Sequence, residues 1–229
     1  PDPPTKNDDP TNGIEYTYAF EYGAALFMVI RVDSISNLQT IARWVEEQVN
    51  SSDKPWQIVA FHEAMYSAGD HIMEQAEARK VLSPVFDSLG IDLVLQGHDH
   101  TYSRSIVNGD GSKETPVSVD GSPNKVFDPD APIYYQTISG ATRFYSGTTY
   151  FPGSDDPLLP NYEFIDFKPE KTTEDRMYYT GITVSNEFIT LTTYYTTTTT
   201  FNKGLLETYT IYNTNPAYIP KGSEWKYFD

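Results

Sequence analysis

The chain contains no cysteine, which excludes disulfide staples and thiolate-held metals and leaves nitrogen and oxygen donors for any ion. Histidine is scarce too, with four in 229 residues. Basic residues are few: 16 Lys and Arg stand against 32 Asp and Glu, for a net charge of −16. That balance excludes nucleic-acid or anionic-membrane recognition through a basic face. No apolar run approaches the roughly 20 residues of a membrane-spanning helix, so no membrane insertion is expected. The first residues carry no secretory signal pattern. What remains is a chain of 38% apolar residues, enough for a real core in one domain. Tyrosine is abundant at 18 residues and threonine forms runs. With so few Lys and Arg, that surface style suits a secreted or cell-surface protein, expected to be bacterial.

The most informative segment is Gly97-His98-Asp99-His100, which ends the apolar run Leu93-Val94-Leu95-Gln96. Imidazole is the commonest metal-ligating side chain. Residues i and i+2 of an extended segment point to one side, which predicts that His98 and His100 face one way and Asp99 the other. His62 follows a second strand-like run, Trp56 to Phe61. Between them, Val81, Leu82, Val85, Phe86 and Leu89 recur at helical spacing within 73–89, with Gly90 to end the helix and Pro84 to kink or break it. Strand, helix, strand makes the two strands parallel. Both histidine sites then share the carboxyl edge of a sheet, where open α/β sheets place ligands. They read as one metal site.

The remaining chain supplies a frame. Residues 1–13 read as a flexible lead-in. Thr17 to Phe20 and Leu26 to Val32 read as strands around the turn Tyr22-Gly23-Ala24, and Ser36 with Gln39 fits a capping box. Leu38, Ile41, Val45 and Val49 form one helical face, leaving Glu46 and Glu47 as solvated charges. Asn108 to Gly111 signals a turn. Asp128-Pro129-Asp130 lacks the acid spacing of a calcium loop and reads as surface loop. Ile133 to Ile138 reads as a strand, 143–170 as a long loop, and Tyr178–Ser185, Phe188–Thr198 and Leu205–Tyr212 as antiparallel strands. Residues 213–229 read as a tail or linker.

His62-Glu63-Ala64-Met65-Tyr66-Ser67-Ala68-Gly69, then His71 with Met73-Glu74, then Gly97 to Arg104 resemble the C-terminal half of the calcineurin-like metallophosphoesterases. Within that family the purple acid phosphatase branch is the nearest in look. The resemblance implies an α/β fold, part of an αββα sandwich, with mixed sheets, helices on the outer faces and an antiparallel C-terminal sheet. It covers residues 14–212 as the C-terminal part of a catalytic domain. It implies a dinuclear centre of Fe, Zn or Mn, with His62 and His98 on one metal and His100 on the other. His71 matches a phosphate-contacting histidine that assists the leaving group, so it is the expected catalytic and substrate-binding residue.

The family's upstream motifs, Asp-x-His, Gly-Asp-x-x-Asp or Tyr, and Gly-Asn-His-Asp or Glu, do not occur before His62. The expectation is therefore a fragment whose missing N-terminal half is its natural partner. The parent protein is expected to hydrolyse phosphate mono- or diesters through attack by metal-bound hydroxide, and this chain alone to be inactive. The competing expectation is a degenerate, non-catalytic cell-surface binding module that keeps the fold.

Overall fold

Strict alternation along four strands separates two cores. In a computed structural model, residues 17–32, 35–136, 176–197 and 202–213 are described. Strands β1 (Tyr18–Tyr22), β2 (Ala25–Val29), β3 (Trp56–Glu63), β4 (Leu93–Gly97), β5 (Ser103–Ile106) and β7 (Ile133–Gln136) form a six-stranded sheet in the order β1-β2-β3-β4-β7-β5. One face sends Leu26, Met28, Val59, Phe61, Val94 and Tyr134 into a core completed by α1 (Leu38–Ser51) and α2 (Ala76–Ser88). The other face sends Ala25, Trp56, Ile58, Leu93, Ile133 and Tyr135 against a second sheet. That sheet comprises β6 (Lys125–Phe127), β8 (Arg176–Val184), β9 (Phe188–Thr197) and β10 (Lys203–Tyr212) in the order β6-β10-β9-β8. A period of two on strands buried from both sides produces this split.

The expected layers are therefore present as helix, mixed sheet and second sheet. The C-terminal strands β8, β9 and β10 are antiparallel, and β6 joins β10 in parallel. The βαβ unit is as the sequence predicts: β3 and β4 are parallel neighbours joined through α2. The hairpin β1–β2 turns at Gly23, whose φ of 58° favours glycine.

Three local expectations change. Of the kink or break expected at Pro84, the break does not occur, and α2 runs on to Ser88. The Pro84 side chain is exposed while Ala78, Leu82 and Phe86 are buried, and burial of that face outweighs the roughly 3 kcal/mol that an interior proline costs. Ser36 forms no capping box, because Ile35–Asn37 is a 3-10 turn and Asn37 takes the cap position without a side-chain hydrogen bond. The predicted start of the second helix at residue 73 falls in another 3-10 turn, Asp70–Gln75. The lead-in, the 143–170 loop, the end of the predicted strand at Ile138 and the tail beyond residue 213 lie outside the described residues.

Candidate metal centre

The carboxyl ends of β3 and β4 meet where Glu63 pairs with Gly97, after a register shift that follows Ala60. This brings His62 Nε2 to 3.2 Å from His98 Nδ1. A Cβ on Gly97 would lie 3.1 Å from His62 Nδ1, tighter than ordinary contact, so glycine there lets the two imidazoles approach. Beyond it the chain does not stay extended. His98 has φ of 66°, and Asp99 N–H donates to Gly97 C=O at 2.8 Å across this single residue, closing a γ-type turn. Left-handed backbone at a non-glycine residue costs free energy and persists where surrounding bonds fix it. Here Gln136 on β7 fixes it: its Nε2 donates to Gly97 C=O at 2.8 Å and to Asp99 C=O at 2.5 Å.

That turn corrects the alternation argument. Since His98 is left-handed, positions 98 and 100 are not successive residues on one side of a strand. His100 is half-buried and belongs to no three-donor cluster among the described residues. Besides His62, the side chain that meets His98 is His71, with ring centroids 4.4 Å apart at 67°. His71 Nδ1 in turn is 3.1 Å from Glu74 Oε1. His71, Glu74 and His98 offer ligand atoms that all lie within 4.8 Å of one another.

Two buried polar residues hold the loop that carries His71. Gln96 Oε1 accepts from Met65 N–H at 2.7 Å and Tyr66 N–H at 3.1 Å, while its Nε2 donates to Tyr66 C=O at 2.6 Å. Asp99, 1% exposed, accepts from Ser67 Oγ and, at 3.3 Å, from His71 N–H. Ser67 Oγ also accepts from Gly69 N–H at 2.9 Å. A Cβ on Gly69 would overlap the Asp99 carboxyl group. Asp99 thus ties the two loops together through Ser67 and the His71 amide and belongs to no three-donor group among the described residues. Sequence reasoning passed over Gln96, Gln136 and Glu74. A glutamine closing an otherwise apolar strand, and an acid three residues after a histidine, were the available signals.

Behind the site, Tyr102 and Arg104 enter the space between the sheets. Arg104 Nη1 is paired with Glu207 Oε1 on β10, and Tyr102 OH donates to Glu207 Oε2 at 2.6 Å. The Tyr102 and Tyr135 hydroxyls are 2.5 Å apart, and Tyr135 meets Thr193 Oγ1 at 2.7 Å. Burial, with the neighbouring Tyr135 and the Glu207 charge adding to it, pushes Tyr102 well above the usual tyrosine range, and burial raises Tyr135 as well. These groups link the chain that follows the site to the second sheet. In front, a groove of about 620 Å³ is lined by Val29, Ile30, Arg31, Ala60, Phe61, His62 and Glu63. Of the four histidines, His62 alone is among its lining residues.

The family model for calcineurin-like phosphoesterases matches residues 5–102. By its arrangement the chain resembles a purple acid phosphatase from yellow lupin seeds, with a TM-score of 0.60 over 89% of this chain and 34% of that one at 16% identity. The fold is metallophosphoesterase-like. The sequence is purple acid phosphatase-like: it is 38% identical over 87 residues to purple acid phosphatase 1 of Ipomoea batatas, 34% of this chain and 18% of that relative. It is 30% identical over 125 residues to an Fe(3+)-Zn(2+) purple acid phosphatase of Arabidopsis thaliana, 51% of this chain and 25% of that one. The chain thus spans about a fifth to a quarter of the length of these curated relatives.

The calcineurin-like phosphoesterases imply a dinuclear metal centre. Imidazole and carboxylate donors suit Zn, Fe or Mn, so the residues present fit a transition metal. By themselves they do not complete two ions' shells: among the described residues one group of three donors converges, and its single carboxylate is Glu74.

Proposed function

We propose that residues 14–212 form the C-terminal part of a catalytic domain that hydrolyses phosphate mono- or diesters at a dinuclear metal centre. The observation that carries this is the 3.2 Å approach of His62 and His98 at the carboxyl edge of parallel β3 and β4, with His71 packed beside His98. Two bound ions of Fe, Zn or Mn would supply a nucleophile at neutral pH and neutralise charge on the phosphoryl group. His62 and His98 hold one ion and His100 contributes to the other, with the remaining ligands coming from an N-terminal half of the same domain. His71 binds a phosphoryl oxygen or gives a proton to the leaving alkoxide. Glu74 accepts from its Nδ1 at 3.1 Å, which orients the ring with Nε2 free to face the ester. The groove beside His62, walled by Val29, Ile30 and Phe61, takes the apolar part of that ester.

With a single three-donor group among its described residues, this chain alone is inactive. The parent protein is a secreted or cell-surface one, which its low Lys and Arg content favours. Phosphatase assay of the full-length parent with p-nitrophenyl phosphate, beside its His62→Ala and His98→Ala variants, tests the proposal. Turnover in the parent with a loss of at least a hundredfold in both variants is expected. Equal rates in parent and variants, or none in a metal-loaded parent, would refute it and leave the non-catalytic binding module.

A further inference from the structure

The carboxylate that an ion near His98 needs is present in this chain. We propose that His71, Glu74 and His98 form an autonomous site for one divalent transition ion, of the Zn²⁺ or Co²⁺ class, and that His100 takes no part in it. This rests on the metal assignment above in treating His98 as a ligand and differs from it at His71: in the chain by itself the His71–Glu74 hydrogen bond gives way to the ion, whereas in the intact domain His71 faces the ester.

The geometry comes from two elements. Glu74 follows His71 by one turn of the 3-10 segment Asp70–Gln75, which puts both side chains on one side, 3.1 Å apart at Nδ1 and Oε1. His98 comes from the γ-type turn after β4, and its left-handed backbone directs the ring at His71. Asp99, through Ser67 and the His71 amide, holds the two segments in register without entering the cluster. The three ligand atoms lie within 4.8 Å of one another. In a tetrahedral shell with bonds of about 2.1 Å, donors are roughly 3.4 Å apart, so closing the cluster takes movements of roughly 0.7 Å per donor. The side chains of His71 and Glu74 are 45% and 65% exposed, so they can move that far and water can complete the shell.

Two imidazoles and one carboxylate select a borderline ion over Ca²⁺ or Mg²⁺, which prefer oxygen-rich shells. The set also resembles the open three-ligand arrangement of catalytic zinc, with a position left for water or a ligand oxygen. His62 touches His98 but not the whole cluster, since no four-donor group forms among the described residues.

Equilibrium dialysis of the chain against Zn²⁺, with Ca²⁺ as control, tests this, followed by Co²⁺ loading to read the visible absorption of the bound ion. One Zn²⁺ per chain is expected. Glu74→Gln, an exposed substitution that cannot unfold the protein, should weaken binding at least tenfold and change the Co²⁺ spectrum. His71→Ala should do the same, and His100→Gln should leave both readouts unchanged. Unaltered affinity in Glu74→Gln, loss of the ion in a folded His100→Gln, or no Zn²⁺ uptake would each overturn the site. None of those outcomes touches hydrolysis by the full-length parent, so failure here and failure of the proposed activity are read separately.

Discussion

Replacing Glu207 by alanine removes the buried carboxylate that pairs with Arg104 while leaving that cation in place. Arg104 and Glu207 are each 2% exposed. Besides the carboxylate, Arg104 reaches Asn124 Oδ1 at 3.2 Å and lies 4.1 Å over the Tyr209 ring. An amide oxygen and a ring face do not neutralise a buried guanidinium. Breaking a buried ion pair from one side costs about 3–5 kcal/mol, and the Tyr102 hydroxyl loses its 2.6 Å acceptor as well. A domain of this kind is stable by about 5–15 kcal/mol in all, so the variant should lose a large share of it. At roughly 2–4 °C per kcal/mol for a chain of this size, the unfolding midpoint should fall by about 6–20 °C. Denaturation with guanidinium, followed by tryptophan fluorescence through buried Trp56, reads the change. The double variant Arg104→Met/Glu207→Leu should recover most of the loss, since replacing both charges removes the uncompensated one. A loss under about 1 kcal/mol in Glu207→Ala, or a double variant less stable than the single, would refute the account.

Three further perturbations probe other parts. Gly69→Ala forces the Asp99 carboxyl aside and disturbs its bonds to Ser67 and the His71 amide; Zn²⁺ affinity should fall at least tenfold and stability by about 1–3 kcal/mol, and lowered stability with unchanged Zn²⁺ affinity would mean the loop tie does not position His71. Asp99→Ala removes the acceptor for Ser67 Oγ and the His71 amide, and it should cost about 1–3 kcal/mol in denaturation, against no change if the loop holds without it. Asp92, which accepts from Gln57 N–H at 2.5 Å at the head of β4, hydrogen-bonds the carboxyl of Asp128 after β6. Burial raises both groups, Asp92 well above the carboxylate range and Asp128 up to about 6, with Asp130 and Glu114 adding repulsion. A carboxyl raised in the folded state stabilises fully below its unfolded value and loses that contribution as pH climbs through the folded one. Stability should therefore fall from about pH 4 to above pH 6 through this pair, and Asp128→Asn should flatten that fall; identical pH profiles for wild type and variant would sink the argument.

How much of this was legible in the sequence follows from the range over which each signal acts. Apolar runs and helical spacing are local, so β3, α2, β4 and the shared carboxyl edge of His62 and His98 could be read directly. The interior polar residues carried half a signal. Gln96 and Gln136 stand out at the ends of apolar strands, yet their partners, Met65, Tyr66, Gly97 and Asp99, lie 30 or more residues away and only folding names them. Glu207 was invisible as a site-supporting residue for the same reason, being separated from Arg104 by 103 positions. The histidine pairing failed differently. His-x-His in an extended segment aims both rings one way, and that inference is sound while every φ is negative. At His98 a single φ of 66° cancels it and turns the ring toward His71. Gly97 announces a tight turn, but left-handed backbone at the histidine itself depends on Gln136 bridging Gly97 and Asp99 from another strand. Topology thus decides which edge the histidines reach, while one backbone angle, held from a distance, decides which of them meet.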